Sequence, residues 1–241
     1  MESLHIHVLN QFRLDAPAVS CERYGCCHIN ETYLVVTESG HRYILQKISN
    51  RAFPDVPGLM ENISAVTEYL HTQISDPYGA LTLIPTTEDT VYYHHGENSD
   101  WRVYDFIEGS ICLQAPETPE DFYQSAIAFG TFQQQLAGFP AETLHETIQN
   151  FHNTPDRYRI FKEVLAKDVM DRAKDVQPEI DFVLAHEEVA GKLTGMLKEG
   201  KLPLRVTHND TKLNNVMLSE ATHTPLCVID LDTTKIGRAH V

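Results

Sequence analysis

The chain is poor in cysteine, and no two of its cysteines have a CxxC spacing. The five cysteines form an odd set, namely Cys21, Cys26, Cys27, Cys112 and Cys227. Disulfide frameworks use even sets, and structural zinc sites use closely spaced pairs. The pattern therefore favours a reducing compartment over a disulfide framework or a structural metal, and we expect a cytoplasmic protein.

The sequence is also short of positive charge and of long apolar runs. It has 19 Lys and Arg against 34 Asp and Glu, a formal net charge of -15, which would repel a phosphate backbone. No segment approaches the roughly 18 apolar residues that a membrane span needs, and the start "MESLHIHVLNQF" has no sustained apolar stretch. We expect small-molecule partners, no nucleic acid and no membrane, and we infer no obligate protein partner.

Strand patterns dominate the first part of the chain. Residues 32–48 predict a hairpin around the turn Glu38-Ser39-Gly40, with Tyr43, Leu45 and Lys47 on one face of its second strand. A second pair of strands is predicted at 89–95 and 101–107. Between the two pairs, apolar residues at helical spacing predict an amphipathic helix on the sheet. The apolar residues of this helix are Leu59, Ile63, Val66, Leu70 and Ile74.

After a boundary near Gly109 to Gln114 the pattern changes to helices. Thr118-Pro119 and Thr154-Pro155 are start signals, and a third helix is predicted from about Pro178 to Gly200. Short strands then surround the loop "THNDTKLNN". The sequence predicts an α+β fold with an antiparallel sheet lobe at 1–110 and a mainly helical lobe at 111–234.

That loop, Thr207 to Asn215, has the spacing of a phosphoryl-transfer site. The carboxylate of Asp210 could deprotonate an acceptor hydroxyl, and the amide oxygen of Asn215 could hold Mg²⁺ against nucleotide phosphates. Asp230, at the end of an apolar strand, could supply a second oxygen ligand. A solvated turn rich in Asn and Asp would look similar.

The sequence resembles the superfamily of aminoglycoside phosphotransferases and choline kinases, and within it the N-acetylhexosamine kinases. The stretches that carry the resemblance are "GCCHINETYLV", "YILQKIS", "FPDVPGLMENISAVTEYL", "FHNTPDRY", "THNDTKLNNVML" and "CVIDLDT". The resemblance implies a protein-kinase-like two-lobe fold. It also implies ATP and Mg²⁺ as cofactors, and transfer of phosphate to the anomeric hydroxyl of an N-acetylhexosamine.

Carried over to this sequence, the resemblance implies that Asp210 is the catalytic base and that Asn215 and Asp230 bind magnesium. His208 would support the loop. Lys47 would pair with nucleotide phosphates, although Glu61, on the following helix, falls opposite the apolar stripe and is an uncertain partner for it.

Further nucleotide contacts are implied at two places. His28 and Asn30, in a loop with a single glycine, would lie near the transferred phosphate or the sugar; a plain hairpin turn is the alternative. Adenine would bind to backbone groups between the lobes, at Tyr104, Phe106 and Ile107.

Two rival functions remain open at this point. One is a kinase for choline, homoserine or another small acceptor, and the acidic surface would suit a cationic acceptor. The other is a nucleotide-binding protein without catalysis, whose mark would be loss of the base or of a magnesium ligand. All three of those residues are present here.

The end of the sequence departs from the kinase pattern after Thr233. Residues Lys235 to Val241 back-translate to a widely used sequencing-library adapter, so we expect a non-native tail at 235–241 and an incomplete large lobe. The helices of that lobe should then expose apolar faces, and these 241 residues should be inactive by themselves.

Overall fold

The structure is a computed structural model that describes residues 2–25 and 29–238. The strands within these ranges are β1 (Ala18–Arg23), β2 (Glu31–Thr37), β3 (Arg42–Ile48), β4 (Leu83–Ile84), β5 (Tyr93–His94), β6 (Asp100–Asp105), β7 (Ser110–Ile111), β8 (Leu204–Thr207), β9 (Val216–Ser219), β10 (Pro225–Val228) and β11 (Lys235–Arg238). The α-helices there are α1 (Ser3–Leu9), α2 (Val56–Gln73), α3 (Pro119–Gln135), α4 (Thr154–Lys167), α5 (Gln177–Ala185) and α6 (Glu187–Lys198).

The small lobe is an antiparallel sheet with the strand order β1-β2-β3-β6-β4, and β5 also pairs with β6. The hairpin predicted at 32–48 corresponds to β2 and β3. Gly40 in its turn has a φ of 88°, a conformation that favours glycine. The strand predicted at 89–95 is shorter than expected, because only Tyr93 and His94 pair with β6.

The two faces of this sheet pack against different helices. Tyr43, Leu45, Trp101 and Val103 form a buried cluster with α1, which we call the α1 face. Ile48 and Tyr104, on the opposite α2 face, belong to the cluster that contains the apolar residues of α2. Side chains alternate along a strand, so each residue of β3 and β6 can be assigned to one face.

The amphipathic helix between the strand pairs is α2. Asp55 caps it by accepting a hydrogen bond from the backbone N–H of Gly58 at 3.0 Å. Leu59, Ile63, Val66 and Leu70 are buried, which the spacing predicted. The same buried cluster continues into the large lobe, and its members there include Phe129, Phe132, Val216, Leu218 and Leu231. The two lobes therefore share one apolar core.

The large lobe contains α3 to α6 and two small sheets. The predicted start of α3 is present: Asp121 accepts a hydrogen bond from the N–H of Thr118 at 2.8 Å. β9 lies between β10 and β7, and β8 pairs with β11. Residues Lys235–Arg238 of the expected non-native tail thus form a paired strand, and the origin of that tail stays a prediction.

The prediction of a single helix from Pro178 to Gly200 is wrong. The structure has two helices there, because α5 ends and α6 begins at His186. The backbone N–H of His186 bonds to Val183 O at 3.1 Å, and its own carbonyl accepts the first bond of α6 from Ala190. Glu187 and Glu188 then lie in the first turn of α6, where acidic side chains favour a new helix start.

Many apolar side chains on α4 to α6 and the connecting turns are exposed. The most exposed are Val169 (84%), Met170 (73%), Val189 (68%), Phe182 (64%) and Val164 (62%). Among the described residues of these three helices, Ile180 is the only buried one. No helix in the described part of the chain is long and apolar enough to cross a membrane.

Candidate active site

The loop between β8 and β9 is held in place by His208. This buried side chain contacts the carbonyl oxygen of Ile229 through Nε2 at 2.8 Å and accepts a bond from the N–H of Asp210 at Nδ1, 3.3 Å away. Phe129 and Phe132 pack edge-on against its ring. Burial lowers the pKa of His208, so the ring is neutral at pH 7 and connects two backbone segments.

His152 also supports this loop, with Nε2 at 2.8 Å from the carbonyl oxygen of Asn209. Asn209 has a φ of 65°, which an asparagine tolerates. Its side chain donates to the carbonyls of Thr207 and Thr233, both at 2.9 Å. These bonds fix the backbone on either side of Asp210.

Asp210 projects from this loop with a partly exposed carboxylate. Its Oδ2 lies 2.8 Å from the ammonium of Lys212 and accepts a bond from Nδ2 of Asn215 at 3.1 Å. Partial burial by itself would raise the pKa of Asp210, but Lys212 and Asn215 outweigh burial and lower it. The carboxylate is therefore ionised and oriented at neutral pH. Lys212 was not among the site residues predicted from the sequence, although it lies in the same loop, two residues after Asp210.

Asn215 connects Asp210 to the segment that follows β10. The side-chain Nδ2 of Asn215 also donates to the backbone carbonyl of Asp210 at 2.9 Å. The backbone carbonyl of Asn215 accepts a bond from the N–H of Ile229 at 2.9 Å. With the amide nitrogen used by Asp210, the side-chain oxygen is the atom that could meet a cation.

Asp230 stands directly after Ile229 in the left-handed region, with a φ of 60°. The strand predicted through this residue ends earlier, at Val228. Burial and the nearby Asp232 raise the pKa of Asp230 to about 6. An amide oxygen and a carboxylate are the hard ligands that Mg²⁺ accepts, and Mg²⁺ usually uses one or two carboxylates plus phosphates rather than an all-protein cage. The residues therefore fit this ion.

A buried polar network lies beside this segment on the α2 face. Arg102 and Asp232 are each 2% exposed at the side chain, and Arg102 Nη1 lies 2.6 Å from Asp232 Oδ1. Asn30 donates to Asp232 Oδ2 at 2.5 Å and accepts from the N–H of Ser49 at 3.0 Å. Sequence reasoning missed Arg102 and Asp232; the available signal was an arginine inside the otherwise apolar "WRVYDF".

Of the two loop residues expected near the phosphate or sugar, Asn30 is buried against Asp232, next to the expected magnesium ligands. His28 lies outside the described residues.

Lys47 lies on the face of the sheet opposite to the Arg102–Asp232 network. It pairs with Trp101 in the β3–β6 register and shares the α1 face with Leu45, whereas Asp232 meets the α2 face through Arg102. Its ammonium is 3.7 Å from Glu31 Oε1 and 5.9 Å from the centroid of the Trp101 ring. This position does not support the expected phosphate contact. Glu61, its uncertain partner, pairs instead with His145 at 2.7 Å.

We expect Lys47→Met to change the affinity for ATP with Mg²⁺ by less than about twofold, as for an ordinary surface substitution. A titration of ATP and Mg²⁺ followed by thermal unfolding measures this affinity. Lys162→Met, at an exposed ion pair with Glu187, is the matched control. A tenfold loss of affinity for ATP with Mg²⁺ in Lys47→Met but not in Lys162→Met would show that Lys47 contacts the nucleotide phosphates.

The connection between the lobes contains the three residues expected at adenine. Tyr104 pairs with Ile44 and Leu83 in the sheet, and the N–H of Phe106 donates to the Arg42 carbonyl at 3.2 Å. The carbonyl of Ile107 accepts a bond from Ser110 Oγ at 2.6 Å. Backbone groups of Tyr104 and Phe106 are thus already used within the protein, and adenine binding here stays a prediction.

A scan against family models matches residues 27–241 to the phosphotransferase enzyme family (APH). Solved structures with similar folds include an aminoglycoside phosphotransferase from Alicyclobacillus acidocaldarius, with a TM-score of 0.63 and 15% identity over 96% of this chain and 66% of that one. A microcompartment-associated aminopropanol kinase has a TM-score of 0.63 and 17% identity over 98% of this chain and 70% of the other. An amicoumacin kinase, solved with AMP-PNP, Ca²⁺ and Ami, has a TM-score of 0.62 and 14% identity over 98% and 65%.

These comparisons show the fold. It is a kinase-like α+β fold with an antiparallel sheet and a helical region, as the sequence predicted. The chain spans about two thirds of the length of these three structures.

Proposed function

The chain belongs to the phosphotransferase enzyme family, and we propose that it transfers the γ-phosphate of ATP to a hydroxyl group of a small molecule. The acceptor that we propose is an N-acetylhexosamine, phosphorylated at its anomeric hydroxyl. We further propose that residues 1–110 form the nucleotide-binding lobe and residues 111–234 part of the catalytic lobe.

One observation carries the proposal: Asp210 is an ionised carboxylate held in a fixed position. Lys212 and Asn215 keep it deprotonated, while His208 and Asn209 fix the backbone around it. A base of this kind can accept the proton of an acceptor hydroxyl as that oxygen attacks the γ-phosphorus.

Asn215 and Asp230 are the residues that would hold magnesium. The ion would neutralise charge on the nucleotide phosphates when bound. Solved structures of similar fold contain ADP, or AMP-PNP with Ca²⁺, which supports a nucleotide and a divalent cation for this chain. Within the protein, positioning of base and acceptor and the oriented charges would supply the acceleration.

The acceptor rests on weaker support than the reaction. The amino-sugar proposal comes from the stretches of sequence quoted above, including "FPDVPGLMENIS". The net charge of -15 favours a second candidate, a cationic acceptor such as choline.

An ADP-release screen tests both acceptors, with N-acetylglucosamine, N-acetylgalactosamine, choline, homoserine and hydroxylysine offered separately. We expect any form of the protein that releases ADP in this screen to do so with the amino sugars. Turnover of choline without turnover of sugar would overturn our choice of acceptor. Stabilisation by ATP that is identical with and without Mg²⁺ would instead favour a nucleotide-binding protein without catalysis.

We propose that these 241 residues by themselves phosphorylate little or no acceptor. The exposed apolar side chains of α4 to α6, such as Phe182 and Val189, would favour association or a loosely packed lobe. Size-exclusion chromatography and the same screen test this. A monomeric chain that unfolds cooperatively and phosphorylates a sugar would refute it.

A further inference from the structure

A continuous set of polar contacts, buried at Arg102 and Asp232 and half-buried at Gln46, joins the small-lobe sheet to the segment that carries Asp230. Gln46 Nε2 donates to Thr32 Oγ1 at 3.0 Å, and Gln46 Oε1 accepts from Arg102 Nε at 3.0 Å. Arg102 Nη1 in turn lies 2.6 Å from Asp232 Oδ1. The last contact is from Asn30 Nδ2, which donates to Asp232 Oδ2 at 2.5 Å. The contacts therefore run from β2 through β3 and β6 to the residue two positions beyond Asp230.

Every contact in this set lies on the α2 face of the sheet. Gln46 and Arg102 are directly opposite each other in the β3–β6 register, and Arg102 Nη1 also lies 3.8 Å from Met60 Sδ of α2. Lys47, the next residue after Gln46, faces the other way. Among the described residues of β3 and β6, Arg102 is consequently the one lysine or arginine that reaches the Asp230 segment.

A buried ion pair such as Arg102–Asp232 is expected to contribute little net free energy to folding. Removing two charges from water is costly, and a protein with well-packed apolar residues in their place is often as stable. What such a pair supplies is a defined arrangement, because a shifted segment would leave one buried charge without its partner. Here each oxygen of Asp232 has a nitrogen within 2.6 Å, from Arg102 and from Asn30, and these come from two different parts of the lobe.

The backbone around Asp232 turns sharply. Asp230 adopts a positive φ of 60°, and residues 231–233 form a single turn of 3-10 helix. The turn is tied to the catalytic loop by bonds from Thr233 Oγ1 to the His208 carbonyl at 2.6 Å and from Asn209 to the Thr233 carbonyl. Asp232 provides the bond of this turn to the other lobe.

We propose that Asp232, held by Arg102 and Asn30, is a positioning residue that fixes the Asp230 segment against the nucleotide-binding sheet. The inference rests on the proposed function for the role of Asp230 as a magnesium ligand. The placement of the segment itself is independent of that role.

The test uses the double variant Arg102→Met/Asp232→Asn in the 241-residue chain, which removes both charges together and so avoids an unpaired buried ion. Asn at 232 can still accept the bond from Asn30. Amide hydrogen exchange without nucleotide reports on residues 229–234, with α2 as the internal reference. The Mg²⁺ concentration needed for half of the ATP-induced thermal stabilisation reports on the metal site.

We expect exchange at 229–234 to rise at least about tenfold while α2 exchange stays unchanged, and the half-saturating Mg²⁺ concentration to rise at least about tenfold. Arg159→Met, which removes an exposed arginine from its pairs with Asp156 and Glu163, should change neither quantity. Unchanged exchange at 229–234 in a folded double variant would overturn the proposal.

Two further outcomes are also decisive. If the double variant does not fold, Asn30→Ala, which removes only one of the two partners of Asp232, should raise the same exchange about threefold or more; no rise would reject the proposal. If ATP with Mg²⁺ fails to stabilise even the parent chain, the proposed binding of nucleotide and magnesium by these 241 residues fails, while the exchange data still decide whether Asp232 fixes the segment.

Discussion

Asp210→Asn is expected to lower kcat by about 10²- to 10⁴-fold in any form of the protein that phosphorylates an acceptor, because that is the usual contribution of a general base. The substitution keeps the shape of the side chain. It removes the charge that Lys212 and Asn215 stabilise, and with it the ability to accept a proton. Single-turnover transfer from radiolabelled ATP measures the loss.

Binding of ATP with Mg²⁺ should survive in this variant, because the proposed magnesium ligands are Asn215 and Asp230. The 241-residue chain is sufficient for this part, measured by thermal unfolding against ATP concentration. Asp181→Asn makes the same chemical change on the exposed surface of α5, where Asp181 accepts a bond from Gln177 at 2.8 Å, and should leave both quantities unchanged. Turnover within threefold of the parent would remove Asp210 from its role as base.

Local rules were sufficient for the parts of the fold that depend on neighbouring residues. The β2–β3 hairpin follows from a turn signal between β-rich stretches, and α2 follows from apolar residues three and four apart. Asp210 and Asn215 belong to one short loop whose ends are set by β8 and β9. Their spacing in the sequence therefore predicted that they would lie together.

The position of Lys47 shows where such rules stop. Alternation correctly places Lys47 on the same face as Tyr43 and Leu45, but it does not say which face meets the large lobe. Both faces of the sheet are covered, and α1, the helix that covers the face of Lys47, was not predicted. Because the choice of face depends on packing across the whole lobe, the sequence pattern alone left it open.

The Arg102–Asp232 pair could not have been predicted for a related reason. The two residues are far apart in the sequence, and no local periodicity connects β6 with the turn after β10. An arginine in an apolar strand usually predicts an exposed edge. Its full burial becomes explicable only once the fold supplies a carboxylate beside it.

The second large effect is expected from Asp230→Asn, which should make the chain without ligands more stable at neutral pH. The pKa of Asp230 is about 6 in the folded protein against an ordinary value of 3.8. Above pH 6 the folded protein therefore holds a charge that it disfavours relative to the unfolded chain. That difference corresponds to at most about 3 kcal/mol of free energy of unfolding.

The sign of the pH dependence follows from proton binding. Between about pH 4 and pH 6 the folded state binds more protons at Asp230 than the unfolded state, so the cost disappears as the pH falls through this range. Asparagine carries no charge and tolerates the positive φ at this position. The gain in stability of Asp230→Asn should thus be full at pH 7.5 and absent near pH 4, in urea unfolding measured across that range.

The same substitution should abolish the extra stabilisation that Mg²⁺ gives to bound ATP, because an amide is a far weaker magnesium ligand than a carboxylate. Asp181→Asn controls for a general effect of removing one negative charge from a chain with a net charge of -15. A stability difference for Asp230→Asn that stays constant from pH 4 to pH 8 would show that Asp230 is not the buried acid described here. If stabilisation of Asp230→Asn by ATP still depended on Mg²⁺ as in the parent, Asp230 would not be a magnesium ligand. If the variant is more stable and its stabilisation by ATP does not depend on Mg²⁺, the residue that binds magnesium is also the one that lowers the stability of the chain without ligands.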